Sequence, residues 1–250
     1  MTELAYLPDL PSAYVRSFRA RVTALPPGGV VLDRTYFYPT GGGQPSDRGT
    51  LRTTSGGSLE VVDVSKSGPA VIHRVRGTAA LLRSLSTGVE LEGELDWDRR
   101  YRHMRLHTGQ HLVSARIFAR TGLRTRRAVM AGVNATLDLE GSLPADALLS
   151  VGDDLRAAVE HPRAVHIGAV PRAEWDANPA AGRSGLVPLP VQVDPVRVIE
   201  IDAEDVCPCG GTHLRSTGEI GAVQWLPVVP LPGGASRVAF TLADASTPTG

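Results

Sequence analysis

Two short motifs carry four side chains that bind transition metals. His107 and His111 lie four positions apart in a segment that predicts a helix, so both imidazoles project from one face about one turn apart. About a hundred residues further on, Cys209 and His213 offer a thiolate and a third imidazole. Thiolate and imidazole together suit a borderline-soft ion. We therefore expect His107, His111, Cys209 and His213 to bind one Zn²⁺.

Other chemistries fit these residues less well. A zinc-protease helix needs a Glu directly after its first His as general base, and Thr108 stands in that place. Only one residue separates Cys207 from Cys209, which disfavours a disulfide or redox pair in a reducing compartment. Cys207 is therefore interpreted as a bystander. Taken alone, two histidines on a helix would be structural or surface residues, and it is the pairing of the motifs that favours a metal.

Three motifs in a fixed order give the chain a family resemblance. They are Tyr38–Gln44 followed by Asp47 and Gly49, His107–His111, and Cys209–His213. In this combination the chain resembles the freestanding alanyl-tRNA editing proteins, which are relatives of the editing region of alanyl-tRNA synthetase. The likeness extends from about Asp33 to about Gly221. Aminoacylation motifs and a long C-terminal oligomerisation domain are not recognised, so the resemblance is to the mid-length, stand-alone form.

The resemblance implies a trans-editing hydrolase that deacylates seryl-tRNA(Ala), with glycyl-tRNA(Ala) as a second target. An apolar synthetase pocket for alanine rejects an isostere with one extra hydroxyl only about 100-fold. A second site that hydrogen-bonds the hydroxyl discriminates better, because alanine would leave its buried polar groups unpaired. Two alternatives stay open: a zinc-stabilised RNA-binding protein without catalysis, and an editing hydrolase for another aminoacyl-tRNA such as seryl-tRNA(Thr).

The sequence leaves the catalytic group open. Four protein ligands fill a tetrahedral shell, as in structural zinc sites, whereas catalytic zinc usually keeps a position for water. A zinc-bound water or a tRNA hydroxyl would then do the proton work. Candidates for substrate binding are Thr125 and Thr136, either of which would read the serine hydroxyl, and the loop residues Gly41, Gly42, Gly43 and Gln44. The bland interpretation of that loop is a tight turn between strands.

Charge is balanced overall but not locally. The 26 Lys+Arg residues equal the 26 Asp+Glu residues, so affinity for tRNA must come from local clustering. The segment from Arg99 to Leu137 contains nine arginines and no acid. The tRNA-binding candidates within it are Arg99, Arg100, Arg102, Arg124, Arg126 and Arg127. A solvated helix face is the competing interpretation of the same residues.

The elements that must position these residues predict two domains. Short β-branched and aromatic stretches broken by Gly and Pro suit a small barrel or sandwich over residues 1–92, and the family resemblance implies the β-barrel. Residues 93–250 predict an α+β domain with helices packed on an antiparallel sheet, which the resemblance implies is the editing domain that contains the zinc site. Its main helix, which carries both metal-binding histidines, should end near Gly122. A further helix should begin near Pro144, and a terminal hairpin should turn at Gly233–Gly234.

Composition excludes several classes of protein. The hydrophobic share of 42% is ordinary for a globular chain, and the longest apolar run falls short of the roughly 20 residues of a membrane span. The N-terminal residues contain acids and prolines in place of the basic start and apolar stretch of a secretory signal. We expect a cytoplasmic protein with no membrane partner, and the sequence does not give its oligomeric state.

Overall fold

The computed structural model describes residues 1–178, 189–190 and 192–243. The chain divides into two units, Met1–His103 and Met104–Gly250, and the division falls inside the longest helix, Trp97–Thr121. The second predicted domain, 93–250, includes residues that the structure does not describe. The predicted boundary between residues 92 and 93 stays a prediction.

The first unit consists mainly of short strands. Its elements are β1 (Glu3–Leu4), α1 (Leu10–Ala13), β2 (Ser17–Ala24), β3 (Gly29–Leu32), β4 (Arg34–Thr35), β5 (Gly49–Thr53), β6 (Ser58–Ser67), β7 (Ala70–Arg76), α2 (Ala79–Ser84), β8 (Glu90–Leu95) and the first turns of α3 (Trp97–Thr121). A tight turn after Ser67 joins β6 to β7. The helix α2 was not predicted.

Six of these strands form a closed barrel in the order β2-β3-β7-β6-β5-β8, and neighbouring strands are antiparallel. Every second residue of β2 from Phe18 to Val22 is buried, as expected when one face of a strand lines a core. Two glycines allow the strands to approach closely. A Cβ on Gly93 would lie 2.6 Å from the Phe18 ring, and one on Gly49 would lie 2.0 Å from the Glu94 carbonyl oxygen.

The second unit mixes helices and strands. Its elements after α3 are β9 (Thr125–Ala131), β10 (Asn134–Leu139), α4 (Ala145–Glu160), β11 (Val165–Val170), α5 (Arg172–Asp176), β12 (Val196–Ile201), β13 (Asp205–Pro208), a 3₁₀ turn (Thr217–Ile220), β14 (Val223–Trp225), β15 (Val229–Pro230), a 3₁₀ turn (Pro232–Gly234) and β16 (Ser236–Leu242). Gly122, at φ +72°, follows the last residue of α3. The predicted end of that helix and the start of α4 after Pro144 are confirmed.

Antiparallel pairing organises the strands of this unit into two sheets. Strands β14-β16-β10-β9 form one sheet, with β15 also paired to β16, and β11-β12-β13 form the other. A small residue brings α3 close to the first sheet, since a Cβ on Gly109 would lie 3.0 Å from the Phe240 ring. Helix α4 likewise contacts Trp225 through Gly152. The predicted α+β class with antiparallel sheets is confirmed.

Among the helices that the structure describes, none combines the length and the apolar character that crossing a membrane would require.

Candidate metal centre

Four side chains predicted as metal ligands converge in the second unit. One ligand atom from each of His107, His111, Cys209 and His213 lies within 4.8 Å of every other. The Cys209 Sγ is 3.5 Å from His107 Nε2 and 3.3 Å from His213 Nε2. The rings of His107 and His213 are also close, with centroids 4.3 Å apart. A group of this kind could hold a metal ion.

The three residues between the two helix histidines each have a structural task. Thr108 is buried, and its Oγ1 accepts the Leu214 N–H at 3.1 Å and lies 3.2 Å from His213 Nδ1. Gly109 permits the close approach of α3 to the sheet. The Gln110 side-chain amide donates to the carbonyl oxygens of Val129 and Thr136 at 3.1 and 3.0 Å. The motif thus fixes the histidine-bearing face of α3 against both the Cys209 loop and the β9–β10 hairpin.

The Cys209 loop is held by backbone groups. The Cys209 N–H donates to the Arg197 carbonyl oxygen at 3.2 Å, and the Arg197 guanidinium donates back to the Cys209 carbonyl oxygen. The Gly211 N–H points at Cys209 Sγ, 3.3 Å away. A sulfur that accepts a backbone N–H is stabilised as the thiolate.

Electrostatics favour the protonation states that a metal requires. Burial raises the pKa of the Cys209 thiol, but the neighbouring His107 and His213 rings outweigh this effect and bring that pKa well below its usual value. Burial, aided by the nearby His107, lowers the pKa of His213 well below its usual value. A thiolate and a neutral imidazole are the forms that coordinate metal ions.

The residues proposed to read the substrate lie around the same helix. Ser114 follows His111 by three positions on α3 and therefore shares its face. Its Oγ is 2.7 Å from the Oγ1 of the buried Thr125, and either atom can donate. The Thr136 hydroxyl donates to the Val129 carbonyl oxygen at 3.0 Å. A substrate role for Thr125 and Thr136 stays a prediction.

In the first unit, the Gly41–Gln44 loop is a tight turn. Gly42 and Gly43 have φ of +55° and +81°, and Gly41 and Gln44 exchange backbone hydrogen bonds of 3.1 and 2.9 Å. Consecutive positive φ values are the signature of a type I′ turn, which favours glycine. Gly41 and Gly42 are exposed, whereas Gln44 is buried. Whether this turn also contacts substrate stays a prediction.

One of the six arginines predicted to contact tRNA was assigned wrongly. Arg100 is fully buried, where its guanidinium pairs with Asp47 and donates to the carbonyl oxygens of Ala13 and Tyr36. The sequence did not reveal that Arg100 has a buried partner, because Asp47 lies 53 positions earlier in the chain.

The other five arginines keep some or all of their exposure. Arg99 and Arg102 are half-buried, and the Arg99 Nε donates to the Ser46 carbonyl oxygen at 2.9 Å. Arg124, Arg126 and Arg127 are exposed. A register shift opposite Asp138 and Leu139 explains why the adjacent Arg126 and Arg127 are both exposed, since a β-bulge interrupts the alternation of faces. Contact of these five with tRNA stays a prediction.

Sequence reasoning missed two residues at the centre. Thr108 was considered only as the residue that excludes a protease, and Asp205 was not considered at all. The Asp205 Oδ2 lies 3.1 Å from His111 Nδ1. Its position four residues before Cys209 is the one available signal, and that spacing has meaning only once the strand β13 is known to face α3.

Comparison with known families agrees with this arrangement. The family model for class II (A) tRNA synthetases matches residues 13–99, and the model for the second additional domain of threonyl and alanyl tRNA synthetases matches residues 196–236. The second match includes the Cys209 loop. The fold and the site thus define a protein of the synthetase-related editing class.

Individual relatives narrow this class. The alanyl-tRNA editing protein AlaX-M of Methanosarcina acetivorans is 34% identical over 98% of this chain and 100% of its own length. AlaX-M of Saccharolobus solfataricus is 32% identical over 97% and 99% of the two chains. The alanine–tRNA ligase of Pyrobaculum neutrophilum is 36% identical over 96% of this chain. The chain spans only 28% of that ligase's length. The chain belongs to the family of alanyl-tRNA editing proteins of the AlaX-M type.

Proposed function

We propose that this chain is a zinc-dependent hydrolase that removes serine from mischarged tRNA(Ala), with glycyl-tRNA(Ala) as a second substrate. The observation that carries the proposal is the convergence of His107, His111, Cys209 and His213 within 4.8 Å in a chain of the AlaX-M family. Family membership supports a substrate among the esters of tRNA(Ala), and the four converging side chains support a metal centre in this chain.

The donor set fits zinc in number and kind. One thiolate and three imidazoles match the Cys/His ligation of protein zinc sites, in which the ligands lie about 2.0 to 2.3 Å from the ion. Zinc, when bound, supplies a fixed positive charge that holds the aminoacyl end of the tRNA. Thr108 orients His213, and Arg197 with Gly211 orients Cys209, so the chain prepares the site before substrate arrives.

Selectivity for serine requires a hydrogen bond, because alanine is smaller and cannot be excluded by size. The paired hydroxyls of Ser114 and Thr125, 2.7 Å apart, offer a donor and an acceptor one helical turn from His111. We assign recognition of the serine hydroxyl to Thr125, with Thr136 as the second candidate. A buried hydrogen-bonding group left unpaired by alanine costs about 1 to 3 kcal/mol, or roughly 5- to 150-fold in rate.

The reaction is the hydrolysis of one ester bond. The oxygen of water adds to the ester carbonyl carbon, the bond to the ribose oxygen of the terminal nucleotide breaks, and that oxygen takes up a proton. The products are free serine and uncharged tRNA(Ala). The hydroxyls of Thr108, Ser114 and Thr125 already have hydrogen-bond partners within the protein, and we assign proton transfer to an ordered water or to the adjacent ribose hydroxyl of the tRNA.

A panel of esters tests the substrate. Deacylation is measured side by side on seryl-, glycyl- and alanyl-tRNA(Ala) and on seryl-tRNA(Thr). We expect seryl-tRNA(Ala) to be cleaved at least about five-fold faster than alanyl-tRNA(Ala), the lower limit for one unpaired group. If seryl-tRNA(Thr) were cleaved faster than seryl-tRNA(Ala), the proposed substrate would be wrong. Binding of tRNA without cleavage of any ester would favour the zinc-stabilised RNA-binding protein, for which a four-donor shell is also suited.

Removal of one donor tests the site. Cys209→Ala should lose bound zinc and abolish deacylation of seryl-tRNA(Ala), since it deletes the thiolate on which the cluster converges. The matched control is His161→Ala, which removes an exposed histidine at the end of α4 and should keep both zinc and activity. Circular dichroism of both variants checks that the fold persists. Full activity in Cys209→Ala would refute the proposed centre.

A further inference from the structure

The ring of His111 has a charged neighbour on its far side. The Nδ1 of His111 lies 3.1 Å from Oδ2 of Asp205, and the side chains are 10% and 2% exposed. A carboxylate accepts hydrogen bonds only. For the neutral His111 ring this contact favours the tautomer with the proton on Nδ1 and the lone pair on Nε2.

The fold delivers Asp205 to this position from a turn that is fixed to α3. Asp205 begins β13, directly after the turn that joins it to β12, and Ala203 in that turn has φ +58°. The adjacent Glu204 forms an ion pair with Arg116, which follows His111 by five residues on α3. Glu204 and Asp205, which are successive residues, thus both connect this segment to α3. Their side chains are nearly inaccessible to water.

His111 and His213 are held in different ways at Nδ1, the ring nitrogen for which a partner is identified in each. His213 Nδ1 lies 3.2 Å from the hydroxyl of Thr108, a neutral group, whereas His111 Nδ1 faces a carboxylate. A carboxylate on the far nitrogen raises the basicity of the near nitrogen and fixes the ring plane, which strengthens a bond to a metal. His111 should therefore be the more strongly donating of these two rings.

We propose that Asp205 is a positioning residue that holds His111 with Nε2 directed to the metal centre. This inference rests on the proposed metal centre and goes beyond it by assigning a role to a residue outside the ligand set. In this role Asp205 would contact neither the ion nor the substrate, and it would act through the His111 ring.

The same residues suggest a second arrangement that the experiment must separate. Ligand atoms of His111, Asp205 and Cys207 also lie within 4.8 Å of one another, and Asp205 and Cys207 share one face of β13. If a second ion bound there, Asp205 would be a ligand. The contact of Asp205 with Nδ1 favours the positioning role, because a hydrogen bond already occupies the carboxylate oxygen nearest the ring.

Zinc affinity, measured by competition with a chelating dye at fixed pH, tests the role without reference to activity. Asp205→Ala should weaken zinc binding about 10- to 100-fold, the usual cost of removing an outer partner of a ligating histidine. Asp205→Asn, whose side-chain oxygen still accepts the Nδ1 proton, should lose less. The matched control is Asp202→Asn. Asp202 lies on the same turn as Asp205, but its histidine partner, at 3.0 Å, is the exposed His166 of β11. This control should bind zinc like the parent.

Two further readouts separate the outcomes. In nitrogen-15 NMR spectra of the metal-free protein, His111 should be in a single Nδ1–H tautomer, and Asp205→Ala should lose that preference. Parent-like zinc affinity and tautomer in Asp205→Ala would overturn the inference while leaving the metal centre intact. Two zinc ions per chain, with one absent from both Asp205→Asn and Cys207→Ser, would make Asp205 a ligand and also overturn it. A parent that binds no zinc would overturn both proposals.

Discussion

One buried polar cluster in the barrel unit and one in the metal-centre unit are built in opposite ways. In the barrel unit, the Arg100 guanidinium is matched by the Asp47 carboxylate and by the carbonyl oxygens of Ala13 and Tyr36. Donors there meet acceptors. In the other unit, a thiol and three imidazoles meet one another within 4.8 Å. All four side chains offer electron pairs when they are in the forms that coordinate a metal.

This difference identifies which buried cluster is structural and which is a site. A buried donor that makes its hydrogen bonds to protein acceptors needs no ligand, and it stabilises only the fold. A set of converging electron-pair donors is complete only when a cation is present. The comparison predicts that changes in the barrel unit cost folding stability, whereas changes at the four donors cost metal and activity.

The largest expected effect on stability is the loss of Arg100. Arg100→Met deprives the buried Asp47 carboxylate of its ion-pair partner and leaves it the Tyr38 N–H, at 2.7 Å, and the more distant charge of Arg99. Breaking a buried pair in this way costs about 3 to 5 kcal/mol of unfolding free energy. Urea denaturation measures it. Arg52→Met is the control, because it breaks the half-exposed pair with Glu94 and should cost at most about 1 kcal/mol. Equal effects of the two variants would break the comparison.

Acid should weaken the barrel unit through His73. This residue is buried, with Nδ1 3.0 Å from the Val30 carbonyl oxygen and Nε2 2.8 Å from the Thr35 hydroxyl. Burial lowers the pKa of His73 from 6.5 to about 4. Below pH 6.5 the unfolded chain binds a proton that the folded chain refuses until about pH 4, so stability falls within that window. The loss is at most about 3.5 kcal/mol, at roughly 1.4 kcal/mol per pKa unit.

The measurement compares urea unfolding of the parent and of His73→Gln between pH 7 and pH 4.5. Carboxylates titrate in both proteins, so the difference between the two pH profiles isolates His73. The parent should lose more stability than the variant as the pH falls. Parallel profiles would show that burial of His73 is not linked to protonation.

Exposed arginines should bind tRNA without supporting the fold. Arg126→Ala with Arg127→Ala should reduce the slope of log affinity against log salt by roughly 0.7 to 0.9 for each phosphate that the variant no longer neutralises. The control pair is Arg83→Ala with Arg156→Ala, which removes two other exposed arginines. Filter binding of tRNA over a salt series measures the slope. An unchanged slope in the Arg126 and Arg127 double variant would make those side chains a solvated face.

The smallest expected effect is at the turn that precedes Asp205. Ala203 has φ +58°, a conformation that costs a non-glycine residue about 1 to 2 kcal/mol. Ala203→Gly removes that strain but adds about 0.4 to 1 kcal/mol of unfolded-state entropy. The net gain in unfolding free energy should lie between zero and about 1.6 kcal/mol, with zinc affinity unchanged. A destabilised variant would show that the Ala203 methyl group makes a contact that outweighs the strain.

Much of the fold could be predicted from periodicity and turn residues. Helix α3 and its end at Gly122 and the start of α4 after Pro144 follow from local patterns. Helices α2 and α5 did not, because six and five residues are too few to show a helical period. Strand β13 was missed because it is only four residues long and ends in Cys207 and Pro208, which do not indicate a strand.

The candidate site could be predicted only in part. Some of its residues belong to short sequence motifs, whereas others are brought there by contacts between distant parts of the chain. The histidines of α3 and the Cys209 loop are local motifs, and their convergence follows from donor chemistry. Asp205 acts across a tertiary contact between β13 and α3, and the burial of Arg100 depends on Asp47, 53 residues away. Neither contact leaves a pattern in the sequence.

Zinc titration of the metal-stripped protein, followed by deacylation of seryl-tRNA(Ala), tests the central claim most directly. Activity should be negligible without metal, rise in proportion to added zinc and reach its plateau at one equivalent per chain. Cys209→Ala should stay inactive throughout the titration, while His161→Ala should follow the parent. Full deacylation by protein shown to contain no metal would contradict the account.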